Sequence, residues 1–302
     1  YDKIPAVLPS FSEPAQRNND IYWQNKAKDI MKELSFTEVF NYSFVGEEEK
    51  NVFKLNAEEV VNPVSNYYKY LRTTAVPQMA KIVKENSKFF KEFKVFELGK
   101  VFNSREETMV LSGAIMGEDF ASAKGSLNIL FDKLGIKKVS YTPLIKDGIW
   151  HNKKTAEIKA NGKSIGYMGS LSSNLIDVLM IEDAVFFELN FDELQKQCSD
   201  VREYEQISYH PPALRDISGV VSEDLEIEEI MEAIKNSSNE LLKSVEVFDV
   251  YKGKGIASDK KSVSFHLIYQ SDEKTLDSKT IDSMVSDLLN KLKQTINWEE
   301  RK

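Results

Sequence analysis

Cysteine occurs once in this chain, histidine three times and arginine six times. The lone Cys198 excludes an internal disulfide and any cysteine-based zinc cluster, and it fits a reducing, cytoplasmic setting. His151, His210 and His266 are far apart and lack metal-ligand spacing such as H-E-x-x-H. Ser170 and Ser172 lie near glycines, but no G-x-S-x-G elbow surrounds them. There is no Walker-type phosphate loop. No apolar run approaches the roughly 20 residues of a membrane span, and Ala184-Val185-Phe186-Phe187 reads instead as a buried strand. Net positive charge is missing too: 40 Lys and Arg against 48 Asp and Glu leave a formal charge of −8. That balance excludes nucleic-acid binding led by nonspecific electrostatics, so any RNA role must rest on a local basic patch or on partners. Nor is there a basic start followed by an apolar leader segment. The chain opens at Tyr1, and Pro5, Pro9 and Pro14 disfavour a regular helix. Residues 1–15 are therefore expected to be an extended linker from an upstream domain, and the chain a fragment of a longer polypeptide.

What is present describes an ordinary globular protein. The 302 residues, 41% hydrophobic and 29% charged, suggest about two domains. Trp23, Ala27, Ile30, Met31 and Leu34 are spaced as one apolar face of a helix. Phe40, Tyr42 and Phe44 alternate as in a half-buried strand. Glu47-Glu48-Glu49 suits a helix start, where carboxylates meet the positive end of the dipole. A turn at Asn62-Pro63-Val64-Ser65 precedes a helix over 70–89 with Val76, Met79, Ile82 and Val83 on its core side. Strands are expected at 93–102 and 109–116, a helix at 121–135, strands at 155–160 and 164–169, a short helix at 172–180 and a strand at 184–190. Strands that outnumber helices and are joined by short turns favour an antiparallel sheet with helices packed on it, an α+β layout. A boundary is expected between 191 and 208. Beyond it the pattern reads strand 213–222, helix 226–236, strand 244–251, strand 261–270, helix 278–293 and strand 294–300. That order is βαββαβ, the ferredoxin-like split motif. Gly253 and Gly255 supply positive φ for its central turn.

Several ordered segments resemble the β subunit of bacterial phenylalanine–tRNA ligases. They are Asn62-Pro63-Val64-Ser65, Leu71-Arg72-Thr73-Thr74 with Pro77, Phe96-Glu97-Leu98-Gly99-Lys100-Val101-Phe102, His210-Pro211 with Arg215-Asp216-Ile217, and Phe248-Asp249-Val250-Tyr251 followed by Gly253, Gly255, Lys261-Ser262 and Thr275-Leu276. None is specific alone; their order along nearly the whole chain carries the resemblance. Ser172-Ser173 departs from it, standing where that family commonly has His-Pro. The resemblance implies a class II aminoacyl-tRNA ligase-like domain over 16–195 that has lost its chemistry. It also implies a ferredoxin-fold anticodon-binding domain over 206–302. The implied partners are the catalytic α subunit, in an α2β2 assembly, and tRNA(Phe). ATP and magnesium would serve the assembled enzyme, with no cofactor in this chain and no membrane contact.

The residues themselves speak on catalysis. Adenylate formation needs fixed cations around phosphates, and of the six arginines only Arg17, Arg72 and Arg105 fall in the first domain. The stretch Gly162–Gly169 and the serines after it contain none. Arg72 or Arg105 facing a pocket, with a stand-alone ATP-dependent ligase as the consequence, is the first alternative reading. A ferredoxin-fold regulatory module is the second, although residues 222–226 lack the glycine-rich loop it would use. For RNA, residues 206–302 hold 13 Lys and Arg against 18 Asp and Glu. Lys252, Lys254, Lys260 and Lys261 nevertheless cluster around one hairpin beside Tyr251. Lysines there can neutralise phosphates while a ring stacks on an unpaired base. The competing reading has the lysines solubilising a turn and Tyr251 in the core. Arg215 and Asp216 are candidates for contacting base or phosphate, or for a structural salt bridge.

Overall fold

The computed structural model describes residues 2–7, 17–104, 106–144, 148–182, 184–202, 204 and 206–301. The chain divides into two compact units, Tyr1–Glu203 and Tyr204–Lys302. Most of the segment read as a linker, and Arg105, lie outside the described residues.

The first unit is built on a seven-stranded sheet. Its strands are β1 (Thr37–Glu38), β4 (Phe93–Asn103), β5 (Glu106–Met116), β9 (Val185–Asn190), β8 (Lys163–Leu171), β7 (Trp150–Ala160) and β6 (Val139–Pro143), in that spatial order. Only the β1–β4 pair is parallel. Period-two alternation sends Phe96, Ile115 and Phe187 to one face and Val95, Ala114 and Phe186 to the other, and each face is covered. On the first lie α1 (Asn19–Glu33) and α4 (Phe120–Lys133), contributing Trp23, Ala27, Ile30, Met31, Leu127, Leu130 and Phe131. On the second lie α3 (Val76–Asn86) and α5 (Ser173–Leu179), contributing Val76, Met79, Val83 and Leu175. Each large apolar side chain so buried contributes about 1.5–3 kcal/mol. Helix starts are set locally. Asn18 and Asp119 accept from the amides of Ile21 and Ser122 at 3.1 and 2.8 Å, capping α1 and α4.

Two expectations fail here. Phe40 and Tyr42 are not strand residues but are 80% and 69% exposed. Only Phe44–Val45 (β2) pairs, with Tyr70–Leu71 (β3), because no neighbouring strand continues alongside residues 40–42. The helix expected over 70–89 is shorter for the same reason: residues 70–71 are claimed by β2, and the helix begins at Val76 with Pro77 in its first turn, where a missing N–H costs nothing. The short helix α2 (Glu47–Val52) starts on the three glutamates as expected, and α6 (Phe191–Gln195) follows β9. Strand β6 was not legible in advance.

The second unit runs β10 (Ala213–Ser222), α7 (Ile227–Ser237), β11 (Leu242–Tyr251), β12 (Lys260–Tyr269), α8 (Ser278–Ile296) and β13 (Glu299–Glu300). Its antiparallel sheet has the order β11-β12-β10-β13, the ferredoxin-like arrangement. Ile217, Val221, Val263, Phe265 and Leu267 face Ile230, Ile234, Ile281, Leu288 and Leu292 of the two helices. Trp298 seals the edge over Gly219, where an added Cβ would lie 2.1 Å from the indole ring. The helix runs on to Ile296, so the last strand is only residues 299–300, shorter than the 294–300 expected. Gly253 and Gly255 take φ of 153° and 94° in the β11–β12 turn.

Candidate nucleic-acid interface

In the first unit, the arginine best placed for phosphate chemistry is already occupied. Arg72 is 1% exposed. Its Nη2 and Nη1 donate to Glu97 Oε1 and Oε2 at 2.8 and 3.2 Å, and its Nε to the Lys100 carbonyl at 2.8 Å. Asn41 Nδ2 donates to the same Glu97 at 2.8 Å. Beside the pair, the half-buried Glu188 accepts from Thr74 Oγ1 at 2.9 Å and the Ala75 amide at 2.7 Å. Burial raises its pKa above the usual carboxylate range. A guanidinium that is 1% exposed, with its charge paired to a buried carboxylate and three of its five N–H groups already bonded, is not open to a triphosphate. Arg72 therefore faces no pocket. Arg17 donates to Asp200 at 3.0 Å on the surface. Lys26, Tyr22 and Arg17 together pull the Asp200 pKa down to about 2. A cavity beside Thr73 and Thr74, about 770 Å³, is lined by Lys54, His151, Asn152 and Ser172 among others, with no arginine.

Other catalytic options close in the same way. Among the described residues no group of three His, Cys, Asp or Glu could hold a metal. Burial pushes the Cys198 thiol up to about 12, which removes the thiolate needed for nucleophilic work.

The second unit keeps one sheet face free of its two helices, and that face carries the candidate site. Asp216, Ser218, Ser262, Ser264 and His266 alternate with the core residues and so point away from them. A register shift between Val247 and Asp249 marks a β-bulge, which re-aims a side chain. Phe248 sits at that bulge and lies on His266, with ring centroids 4.0 Å apart and planes at 14°. His266 Nδ1 and Asp216 Oδ1 are 2.6 Å apart. The hydroxyls of Ser218 and Ser264 meet at 2.8 Å. Tyr251, 37% exposed, opposes Ser262, and Arg301 stands 5.4 Å from its ring centre. The face is therefore a flat platform of aromatic rings beside hydroxyl and carboxylate groups.

The residues singled out from sequence are distributed unevenly around it. Tyr251 is not in the core; it lies at the sheet edge, its hydroxyl donating to the Lys254 carbonyl at 3.4 Å. Lys254 is exposed in the turn. Lys252 and Lys260 are paired with Glu223 and Glu299 at 2.5 and 2.6 Å. Lys261 is buried at 8% exposure, with Nζ donating to the Glu223 carbonyl at 2.9 Å. Burial lowers its pKa. It shares the side of the sheet with Val263 and Phe265, so it leaves the cluster of phosphate-facing lysines. Arg215 and Asp216 do not act as a pair. Arg215 donates to Asp282 of α8 at 2.9 Å, while Asp216 serves His266 on the opposite face. Phe248 and His266 were missed as a site because a strand's period does not announce a bulge.

The chain thus combines an α+β unit whose sheet is packed on both faces with a ferredoxin-fold unit whose sheet keeps one face free of its helices. Two family models match it: residues 4–191 match the phenylalanyl-tRNA synthetase β chain CLM domain, and residues 208–301 match the ferredoxin-fold anticodon-binding domain. The chain belongs to the phenylalanyl-tRNA synthetase β chain family. It is 30% identical to the phenylalanine–tRNA ligase β subunit of Fusobacterium nucleatum, over 100% of this chain and 41% of that protein. It is 28% identical to that of Clostridium acetobutylicum, over 100% and 40%. The chain thus spans about two fifths of the length of these curated relatives. Among solved structures, the pyrrolysyl-tRNA synthetase of Desulfitobacterium hafniense aligns with a TM-score of 0.48 at 12% identity, over 58% of this chain and 64% of that one.

Proposed function

We propose that this chain works within a cytoplasmic phenylalanine–tRNA ligase, where it holds the anticodon region of tRNA(Phe) and scaffolds a catalytic α subunit, in an α2β2 assembly, that uses ATP and magnesium. The observation that carries the RNA part is the Phe248–His266 stack on the open sheet face. Two rings lying flat outside the core contribute little to packing there, but they offer a π surface to a base that is itself unstacked. Anticodon loops present such bases, and each base–ring stack is worth about 1–3 kcal/mol. Asp216 and Ser218 lie alongside as hydrogen-bonding groups for base edges, with the buried Ser264 bonded to Ser218 behind them. Lys254 and Arg301 are the cations closest to hand for phosphates.

The acidic balance of the unit shapes how such binding works. With few free cations on the face, stacking and base-edge contacts supply more of the affinity than counterion release does. Binding through this face is therefore expected to be only weakly salt-dependent. The filled Arg72–Glu97 pair supports the other half of the reading, in which the first unit is a scaffold; it argues equally against a stand-alone ligase. The test is aminoacylation by the full-length subunit with its partner, comparing wild type with Phe248→Ala. A raised KM for tRNA(Phe) with little change in ATP–pyrophosphate exchange supports the assignment. An unchanged KM for tRNA sinks it.

A further inference from the structure

A second surface, in the first unit, has unpaired cations beside exposed rings. Helix α3 continues past its formal end: Ser87 N–H donates to the Val83 carbonyl at 2.9 Å and Phe90 N–H to the Asn86 carbonyl at 3.0 Å. Lys81 and Lys84 lie on the helix, Lys88 in the turn that follows and Lys91 just beyond it. Val76, Met79, Ala80 and Val83 are the residues buried from the same segment. All four lysines are exposed, and no ion pair joins any of them to a carboxylate among the described residues. Next to them Phe89 and Phe90 are 78% and 56% exposed.

Stabilisation of the helix end does not account for this arrangement. A lysine near a helix C-terminus interacts favourably with the dipole by about 0.3–1 kcal/mol, and the effect fades beyond the last turn. It explains Lys84, which stands in the last turn of α3. It does not explain Lys91, nor two phenylalanines left in water. In a chain of net charge −8, four unneutralised ammonium groups around two open rings form a site for a polyanion that also has flat apolar faces. A strand of RNA is such a ligand: phosphates meet the lysines while a splayed base meets a ring.

We propose that Lys81, Lys84, Lys88 and Lys91 with Phe89 and Phe90 form a second RNA-contacting surface, which takes the sugar–phosphate backbone of the bound tRNA and stacks one unpaired base. The proposal rests on the tRNA reading above for its substrate class and adds a contact outside the anticodon-binding unit.

The test uses the full-length protein with its partner subunit and a fluorescently labelled tRNA(Phe) transcript, titrated across a salt series. Lys→Gln at all four lysines should lower the slope of log affinity against log salt by about 3 and weaken low-salt binding about tenfold or more. Phe89→Ser with Phe90→Ser should weaken binding with the slope unchanged. These are surface positions, and a thermal melt checks folding. Phe248→Ala is measured in parallel. If it alone loses affinity, this inference fails while the anticodon reading stands. If the lysine variant alone loses affinity, the reverse holds. A lysine variant that binds tRNA normally but separates from its partner subunit on gel filtration overturns the proposal and marks the surface as a protein interface.

Discussion

Arg72 and Glu97 meet through two N–H···O bonds in the interior of the first unit, at 1% and 4% exposure. Breaking a buried pair from one side leaves the other charge stranded, at a cost of about 3–5 kcal/mol. Arg72→Met is therefore expected to destabilise the first unit by that amount, read as a lowered urea midpoint. Arg72→Met combined with Glu97→Leu should recover most of the loss, since apolar replacement of a whole buried pair is often neutral. A single variant of wild-type stability would show that the pair does not hold the fold, and would reopen Arg72 as a functional group.

Phe248→Ala and His266→Ala act on exposed rings, so their effects should appear in binding and not in folding. Each is expected to lose about 1–3 kcal/mol of affinity for an anticodon stem-loop, roughly 5- to 150-fold. Melting temperature should move by only a few degrees, as for other surface substitutions. Fluorescence anisotropy with the stem-loop, beside a melt of each variant, separates the two effects. A large stability loss with unchanged affinity would make the stack a structural feature.

Long periodic segments were the legible part of this protein. The Trp23–Met31 stripe, the paired strands around Phe96 and Ile115, and the βαββαβ order after residue 213 follow from side-chain period and turn glycines alone. Four residues escaped, for three separate reasons. Phe40 and Tyr42 alternate like strand residues, but strand formation needs a neighbour, which local pattern cannot supply. Phe248 reaches the open face only through a bulge. Lys261 reads as one more surface lysine beside Lys260, yet register turns it under the sheet, and its ammonium ends on a backbone carbonyl. Arg72 stood equal with Arg105 as an arginine that could face a pocket, and its occupancy by Glu97 depends on two segments brought together from 25 residues apart.

The placement of Lys261 separates it from its neighbours in a way that can be measured. Lys261→Met keeps the buried stem, removes an ammonium that burial disfavours, and should leave RNA affinity unchanged. Lys254→Glu, at the exposed turn, should weaken binding most at low salt and make it less sensitive to added salt. Lys252→Glu also sets the new carboxylate against Glu223 and should loosen the β11–β12 turn, visible as faster amide exchange at residues 252–256. A Lys261→Met variant with markedly weaker RNA binding would overturn this assignment.

Glu188 gives a prediction whose sign depends on pH. Burial raises its folded pKa above the ordinary 4.5, so protonation favours the folded state. The resulting stability is fully present below pH 4.5 and is lost as pH rises through the raised value. At neutral pH the wild-type protein either carries a half-buried carboxylate, only partly compensated by Thr74, the Ala75 amide and Arg72, or binds a proton that solution does not favour. Glu188→Gln keeps an oxygen acceptor for the Thr74 hydroxyl and the Ala75 amide without the ionisation. Its stability should therefore be nearly flat across this window while that of wild type falls. The variant's advantage in urea unfolding should be smallest near pH 4 and grow toward pH 7. If the difference shrinks instead as pH rises, then Arg72 holds Glu188 charged more strongly than burial opposes it, and the electrostatic balance assigned to this cluster is reversed.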